Sequence, residues 1–299
     1  QSNLYNHGQN GGGQNGGSQN GPNGVQNNVG GSEQQHKKYG ERIEGLNWDD
    51  FVDDTVFHFR DTHSEVKFLC PIVFMKIREK FNVNSTQFER QLGGMAGAFT
   101  RMGTPGKSGA FFFYCPSMQY LLKSVNDEEC AFLLDMLPNY VRHVSRNPKT
   151  LLSNFLSFFE VMTSHGQKYR FVVMNNVFYT NLPMDRRYDL KGSTANRAAS
   201  EVEKRKKSPI LKDKDIEVGS IKLTRESKLE LYRRLQHDCK FLRENGIMDY
   251  SLLMGVHDVV MNSMGGGGGA ADNDTGDENS CHSSDVMSEC HNNTMTTST

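Results

Sequence analysis

No stretch of this 299-residue sequence is both apolar and long enough to span a bilayer, which takes roughly 20 consecutive apolar residues. No signal peptide opens it either, so any membrane contact by this chain is expected to be peripheral. It begins with Gln rather than Met and reads as part of something longer. Cysteine is sparse and unordered. The six at 70, 115, 130, 239, 281 and 290 form no CxxC pair and match no His spacing. That argues against a zinc site and against a disulfide framework, and a reducing, cytoplasmic setting fits best. The sequons at Asn84, Asn273 and Asn292 then read as chance matches.

Both ends lack the material of a core. Residues 1–39 are dominated by Gln, Asn and Gly with only Leu4 and two valines as aliphatic anchors, and residues 262–299 contain no Lys or Arg at all. Neither stretch buries enough apolar surface to offset chain entropy, so both are expected to be disordered tails. The second opens on Gly265–Gly269 and reads equally as the start of an insertion. The folding part is expected over 40–261, enough for one large domain or two intimate lobes.

Net charge is −1 but unevenly spread. Between Arg186 and Lys214 ten Lys/Arg face four acids, a local +6. Such a block suits an anionic partner such as phosphates or a lipid surface. For Lys204–Lys207 alone, a solvated loop is the favoured reading.

Hydrophobic periodicity gives an α+β order with an antiparallel sheet in the first half. Pro71 opens a helix through Ile72, Val73, Phe74, Ile77 and Phe81. Strands are expected at Ala110–Cys115, Gln119–Val125, Leu151–Val161 and Tyr169–Phe178, and around Asp189. Asp127 is expected to cap a helix that Pro138 kinks or ends. Thr224 caps a long helix with Leu231, Leu235, Phe241 and Leu242 along one side, which Gly246 stops.

Two motifs carry chemistry. In Arg187-Tyr-Asp-Leu-Lys-Gly-Ser-Thr194, a strand projects Asp189 and Lys191 from one face beside a Gly-Ser turn, which suits a charged substrate better than a packed core. In Ile247-Met-Asp-Tyr-Ser-Leu-Leu-Met-Gly-Val-His257, partial burial between Met248 and Tyr250 makes Asp249 a candidate oriented base. Arg101-Met-Gly-Thr-Pro-Gly-Lys-Ser108 approaches a Walker loop, but Arg101 replaces the first Gly. A strand-like aromatic run also follows where a helix must begin. A Gly-rich turn joining two antiparallel strands can still lie over nucleotide phosphates. Lys123 sits on the strand after that turn, with Glu128 or Glu129 close behind as an ion-pair partner.

In this order, Gly106-Lys-Ser-Gly-Ala-Phe-Phe-Phe-Tyr114, Tyr120-Leu-Leu-Lys123, Val172-Val-Met-Asn-Asn-Val-Phe178 and the two motifs above resemble the phosphatidylinositol phosphate kinase family. The match runs from about Asp53 to Asp258. The resemblance implies a kinase-like two-lobed domain, an antiparallel sheet forming the first lobe and the second lobe truncated. It implies that Gly106, Lys107, Ser108 and Gly109 cover the nucleotide phosphates, that Lys123 binds them, and that Asn176 and Phe178 lie nearest the base. Asp189 and Lys191 would face the reacting phosphates, Arg197 and Lys191 the lipid head group, and Asp249 would act as catalytic base. ATP and Mg are the implied cofactors, with GTP as alternative donor. A phosphoinositide would be the substrate, met as a peripheral protein on the cytosolic, anionic membrane face.

The family continues into an apolar strand ending in a metal-binding Asp and into a lipid-selecting activation loop. After Asp258 this sequence turns to low complexity, so the metal ligand is unassigned and Leu252, Leu253 and Val256 are expected to expose apolar surface. Met174-Asn-Asn176 resembles type I members and Ser193–Ser200 type II, which leaves 4-phosphate and 5-phosphate lipids both open as substrate. Two rivals stand beside the lipid kinase. One is a non-catalytic phosphoinositide-binding adaptor. The other is a nucleic-acid module on the basic block, which its single aromatic, Tyr188, argues against.

Overall fold

The structure is a computed structural model that describes residues 42–59, 63–93, 99–101, 110–217 and 219–258. The expectations for 1–39, for Gly106–Gly109 and for 262–299 lie outside the described residues. The chain forms two compact units. The larger comprises the described residues through Tyr179 together with Leu231–Tyr250, and the smaller comprises Thr180–Glu230 with those from Ser251 onward.

In the larger unit a short hairpin, β1 (Arg42–Ile43) and β2 (Leu46–Asn47), leads into a 3-10 turn at Trp48–Phe51. Seven strands follow, β3 (Asp54–Phe59), β4 (Ser64–Leu69), β5 (Thr100–Arg101), β6 (Phe112–Tyr114), β7 (Tyr120–Val125), β8 (Phe155–Met162) and β9 (Lys168–Asn175). They make one antiparallel sheet in the order β3-β4-β8-β9-β7-β6-β5. Both of its faces are covered, which is why β9 reads as the unbroken apolar run Phe171–Met174 rather than as an alternation. Val172 and Met174 pack with Val73, Phe74, Ile77, Leu133 and Leu137, from the helices α1 (Pro71–Lys80) and α3 (Asp127–Arg146). On the opposite face Val173, Leu122 and Leu156 meet Phe88 of α2 (Ser85–Gly93). Arg78 bridges this side. It donates from Nη1 to Leu156 O at 2.8 Å and lies 5.0 Å from the Phe88 ring centroid. Cross-strand phenylalanines continue the row: Phe68 stands opposite Phe159 and Phe159 opposite Phe171, with centroids 5.8 and 5.7 Å apart.

Four local expectations change. The strand expected from Leu151 begins at Phe155. Asn126, not Asp127, caps α3: its Oδ1 accepts from Glu129 N at 2.7 Å, and Asp127 becomes the first helical residue, still well placed for the dipole. Pro138 neither ends nor bounds the helix, which runs on to Arg146. The turn around Pro138 is buried with Leu137, Tyr140, Val141 and Val144, and tertiary packing there outweighs the one backbone bond proline cannot make. The strand expected to reach Phe178 stops at Asn175, because Asn176 N turns to Gln119 O at 2.8 Å.

The long helix α5 (Arg225–Glu244) begins where Thr224 Oγ1 accepts from Ser227 N, and it ends in a Schellman turn. There Gly246, at φ 69°, donates to Arg243 O while Ile247 N reaches Leu242 O. Its inward side is Phe241, Leu242 and Asp238, whereas Leu231 and Leu235 are only half-buried. Asp238 is 4% exposed and fully engaged. His143 Nε2 shares a 2.7 Å hydrogen bond with its Oδ1, Thr150 Oγ1 donates to the same oxygen at 2.5 Å, and Leu151 N donates to Oδ2 at 2.7 Å.

The smaller unit holds β10 (Arg186–Leu190), the short helix α4 (Glu201–Lys204), β11 (Ile210–Leu211) and β12 (Leu252–Val256). β10 is central, parallel to β11 and antiparallel to β12. Tyr188 is its buried anchor at 2% exposure. A Cβ at Gly255 would fall 2.8 Å from Met184 Sδ, so a larger residue there requires the Met184 side chain to shift. Pairing with β10 also buries Val256 and half-buries Leu252 and Leu253, so the apolar exposure expected there is not found.

Asp238→Ala strands Thr150 and Leu151 donors away from water and is expected to destabilise the protein by about 3 kcal/mol. Thermal unfolding followed by circular dichroism should show a melting temperature roughly 6–12 °C lower.

Candidate functional site

Lys123 lies in the middle of β7, opposite Phe112 on one side and Val172 on the other. Its side chain is 4% exposed, so it is no edge lysine facing water. Nζ donates to Glu129 Oε1 at 2.8 Å. The second oxygen, Oε2, accepts from Asn126 N at 3.0 Å, completing a capping box. The residues that start α3 therefore also aim its carboxylate at the lysine, and Glu129, not Glu128, is the partner. An ammonium has three donor positions, and this one is held in place by a buried acid. The adjoining strand is fastened by Ser124, whose Oγ accepts from Phe111 N and whose N donates to Phe111 O, both at 2.8 Å.

Asn176 follows β9 directly, and both ends of its amide serve the chain. Nδ2 donates to Met118 O at 2.7 Å, and Oδ1 accepts from Phe178 N at 3.1 Å. Asn176 therefore shapes the turn that carries the half-buried Phe178.

In the smaller unit β10 ends at Leu190, one residue before Lys191. The period-two argument that put Asp189 and Lys191 on one face stops there, because the backbone turns. Gly192 takes φ 69°, and the N–H groups of Lys191 and Gly192 both donate to Asp213 Oδ1, at 3.0 and 2.8 Å. Arg197 closes the corner. Its Nε donates to Asp213 Oδ2 at 2.6 Å, and its Nη2 donates to Asp189 Oδ1 at 2.9 Å and to Asp189 O. One guanidinium thus joins two carboxylates and a strand end, with Lys191 exposed at the tip of the turn. Burial works against ionised Asp213, but Arg197 and the Gly192 and Lys191 amides outweigh it and hold its carboxyl below the usual range. Burial likewise opposes the charge on Arg197, and its bonds to Asp213 and Asp189 carry its pKa upward all the same.

Asp213 and Asp215 are the residues that sequence reasoning missed, since Asp213 had counted only as a charge against the basic block. Asp215 Oδ2 accepts from Ala199 N at 2.7 Å and from Lys212 N at 3.0 Å, and Lys204 Nζ lies 3.4 Å from its Oδ1. Their two-residue spacing in a 3-10 turn after Lys212 was the available signal. The local +6 is also less open than composition implied. Arg186, Arg197, Lys204 and Lys206 are each ion-paired, the first with Asp258 at 3.5 Å. Lys191, Arg205, Lys207 and Lys214 are exposed.

Asp249 follows the Schellman turn, at φ 57°. Ile247 beside it is buried, yet Asp249 itself is exposed, contrary to the partial burial expected. The helix stop pulls Ile247 inward and the next residues swing out. A carboxylate at a left-handed backbone position is tolerated better than most side chains. Among the described residues no group of three His, Cys, Asp or Glu gathers to hold a metal ion, and no helix is long and apolar enough to cross a membrane.

A family profile described as phosphatidylinositol-4-phosphate 5-kinase matches residues 95–298. The sequence is 40% identical over 188 residues to phosphatidylinositol 4-phosphate 5-kinase 9 of Arabidopsis thaliana, covering 63% of this chain and 23% of that one. It is 37% identical over 194 residues to a probable phosphatidylinositol phosphate kinase of Dictyostelium discoideum, covering 63% and 27%. To the type-1 beta phosphatidylinositol 4-phosphate 5-kinase of Gallus gallus it is 37% identical over 201 residues, covering 66% and 36%. The matched part thus spans between about a quarter and a third of these relatives.

Asp213→Ala removes the acceptor of two amides and of Arg197 Nε. Hydrogen-exchange protection at Lys191 and Gly192 is expected to fall about tenfold or more. Asp213→Asn retains an oxygen for the amides and should keep most of that protection. Because the folded carboxyl is held below its unfolded value of about 3.9, the clamp contributes in full above about pH 4 and is lost as pH falls through the lowered value. Protection of these two amides, corrected for intrinsic rates, should track that loss in the wild type and be flat with pH in Asp213→Ala.

Proposed function

The chain belongs to the phosphatidylinositol-4-phosphate 5-kinase family, and we propose that it supplies the nucleotide and head-group contacts of an ATP-dependent lipid kinase. The reaction moves the γ-phosphoryl group of ATP to an inositol hydroxyl of a phosphatidylinositol monophosphate, giving the bisphosphate. The kinase domain is assigned to 40–261. The larger unit is read as the nucleotide-binding lobe of a kinase-like fold, and the smaller unit as part of the second lobe.

The observation that carries this reading is the buried Lys123–Glu129 pair. Phosphoryl transfer asks little covalent chemistry of a protein and much fixed positive charge around an expanded, phosphate-like transition state. A lysine held by an acid at a helix start is the arrangement that keeps such a charge in place while phosphates come and go. Gly106–Gly109 are assigned to the cover over those phosphates, and the turn at Asn176 and Phe178 to the base. Lys191 at its exposed tip acts as a point charge, and Arg197 presents a guanidinium already oriented by Asp189 and Asp213. Asp249 is assigned as the base that accepts the proton of the inositol hydroxyl. Its exposure leaves it open to a lipid head group, and the buried Ile247 anchors the turn that carries it.

Transfer of this kind ordinarily takes a divalent cation such as Mg, which neutralises nucleotide phosphate charge when bound. The described residues do not gather a ligand set for it. The exposed basic residues of 186–214 suit an anionic leaflet, at about 1 kcal/mol for each one near the surface.

The test is transfer of radiolabelled phosphate from ATP to vesicles of phosphatidylinositol 4-phosphate or 5-phosphate, by this chain and by any longer reading frame that carries it. Lys123→Met and Asp249→Asn are each expected to lower transfer by about 100-fold or more, with vesicle binding by Asp249→Asn unchanged. The vesicle preferred names the substrate. Binding without transfer in every form would replace the kinase by a non-catalytic phosphoinositide adaptor.

A further inference from the structure

Ser208-Pro209 is the only Ser-Pro pair in the sequence, and it directly follows Lys204-Arg-Lys-Lys207. We infer that Ser208 is a phosphorylation site for a proline-directed Ser/Thr protein kinase, and that its phosphate weakens the hold of this basic segment on anionic lipid. The second half of the inference rests on the membrane contact proposed above.

The structure supplies presentation and consequence. Ser208 is exposed, in the bends between the end of α4 at Lys204 and the start of β11 at Ile210. One carboxylate closes the loop on both sides of it. Glu203 Oε1 accepts from Ile210 N at 3.0 Å, and Oε2 accepts from Lys206 Nζ. The loop therefore runs between fixed ends, with the exposed cations Lys204–Lys207 immediately preceding Ser208 along the chain. Pro209 has no N–H and a fixed φ, so it fits the apolar slot of a proline-directed kinase, where any other residue would leave a buried donor unpaired. None of the candidate catalytic residues lies in this loop.

In the modification, the Ser208 Oγ–P bond forms as the bond from the γ-phosphorus of ATP to its bridging oxygen breaks. ADP leaves, and the hydroxyl proton passes to the protein kinase's base and then to solvent. The product carries a charge of about −2 with three strong acceptor oxygens. It lowers the local charge from +6 to about +4. Lys206 and Lys207 can then pair with the phosphate instead of the leaflet, Lys206 being drawn away from Glu203. Repulsion from anionic head groups adds to that loss.

The experiment treats the chain with a proline-directed protein kinase and ATP, maps phosphate by peptide mass spectrometry, and measures sedimentation with phosphatidylcholine vesicles containing phosphatidylserine at moderate salt. Phosphate is expected at Ser208 and absent there in Ser208→Ala. Vesicle affinity of the phosphorylated chain should drop about tenfold or more and return after phosphatase treatment. Unmodified Ser208→Ala should bind vesicles as the wild type does. No phosphate at Ser208 overturns the site, and phosphate without loss of vesicle binding overturns the switch. An unmodified chain that ignores these vesicles overturns the membrane reading and the switch with it. Lipid phosphorylation does not enter the readout, so failure of the kinase reading leaves a distinct result.

Discussion

A lysine ammonium inside a sheet is tolerable only with a carboxylate against it, and in this protein that carboxylate is delivered by a helix cap. Glu129 has two oxygens, one on Lys123 and one on the backbone N–H of Asn126. The cap, the first turn of α3 and the charge on β7 therefore form one unit. Removing either partner leaves a buried charge without compensation, which is destabilising by about 3–5 kcal/mol in comparable pairs. The apolar environment that makes the pair indispensable also fixes its geometry. Leu121 and Val125, on the same strand face as Lys123, are buried in the core that α1 and α3 help to build.

Charge is organised differently in the smaller unit, where acids act on a segment that composition describes as basic. Asp213 and Asp215 each bind two backbone N–H groups and a cationic side chain. Their effect is to turn a flexible, self-repelling stretch into a defined corner. Arg197 becomes oriented and Lys191 is presented. The cations that remain exposed, Arg205, Lys207 and Lys214 among them, are those suited to a diffuse anionic surface. The sequence thus separates cations that shape a site from cations that lie beside one, a distinction invisible to a net-charge count.

Much of the architecture was legible. The helix opened by Pro71, the β7 run, the β10 strand and the Thr224-to-Gly246 helix all follow from periodicity plus terminal residues, because caps and breakers act locally. The misreadings had local plausibility too. Asp127 is as good a cap by type as Asn126, and only the geometry of Glu129 chose between them. Pro138 should break a helix by its own chemistry, yet its turn is buried with Leu137, Tyr140, Val141 and Val144. The Asp238 cluster with His143 and Thr150 left no trace in the sequence, since its members are far apart along the chain.

By itself the sequence determined residue types, periodicities and motif order, and these were enough for the α+β class, the family and the identity of Lys123, Asp189, Lys191, Arg197 and Asp249 as candidates. Those properties depend on neighbours within a few positions, or on motifs read directly as text. Tertiary structure alone decided the partners: Glu129 rather than Glu128, Asp213 as the acceptor that turns the chain at Lys191, and the outward swing of Asp249 after a buried Ile247. Hydrogen bonds and burial are set by which segments meet in space, and that is decided by the whole core rather than by any stretch of it.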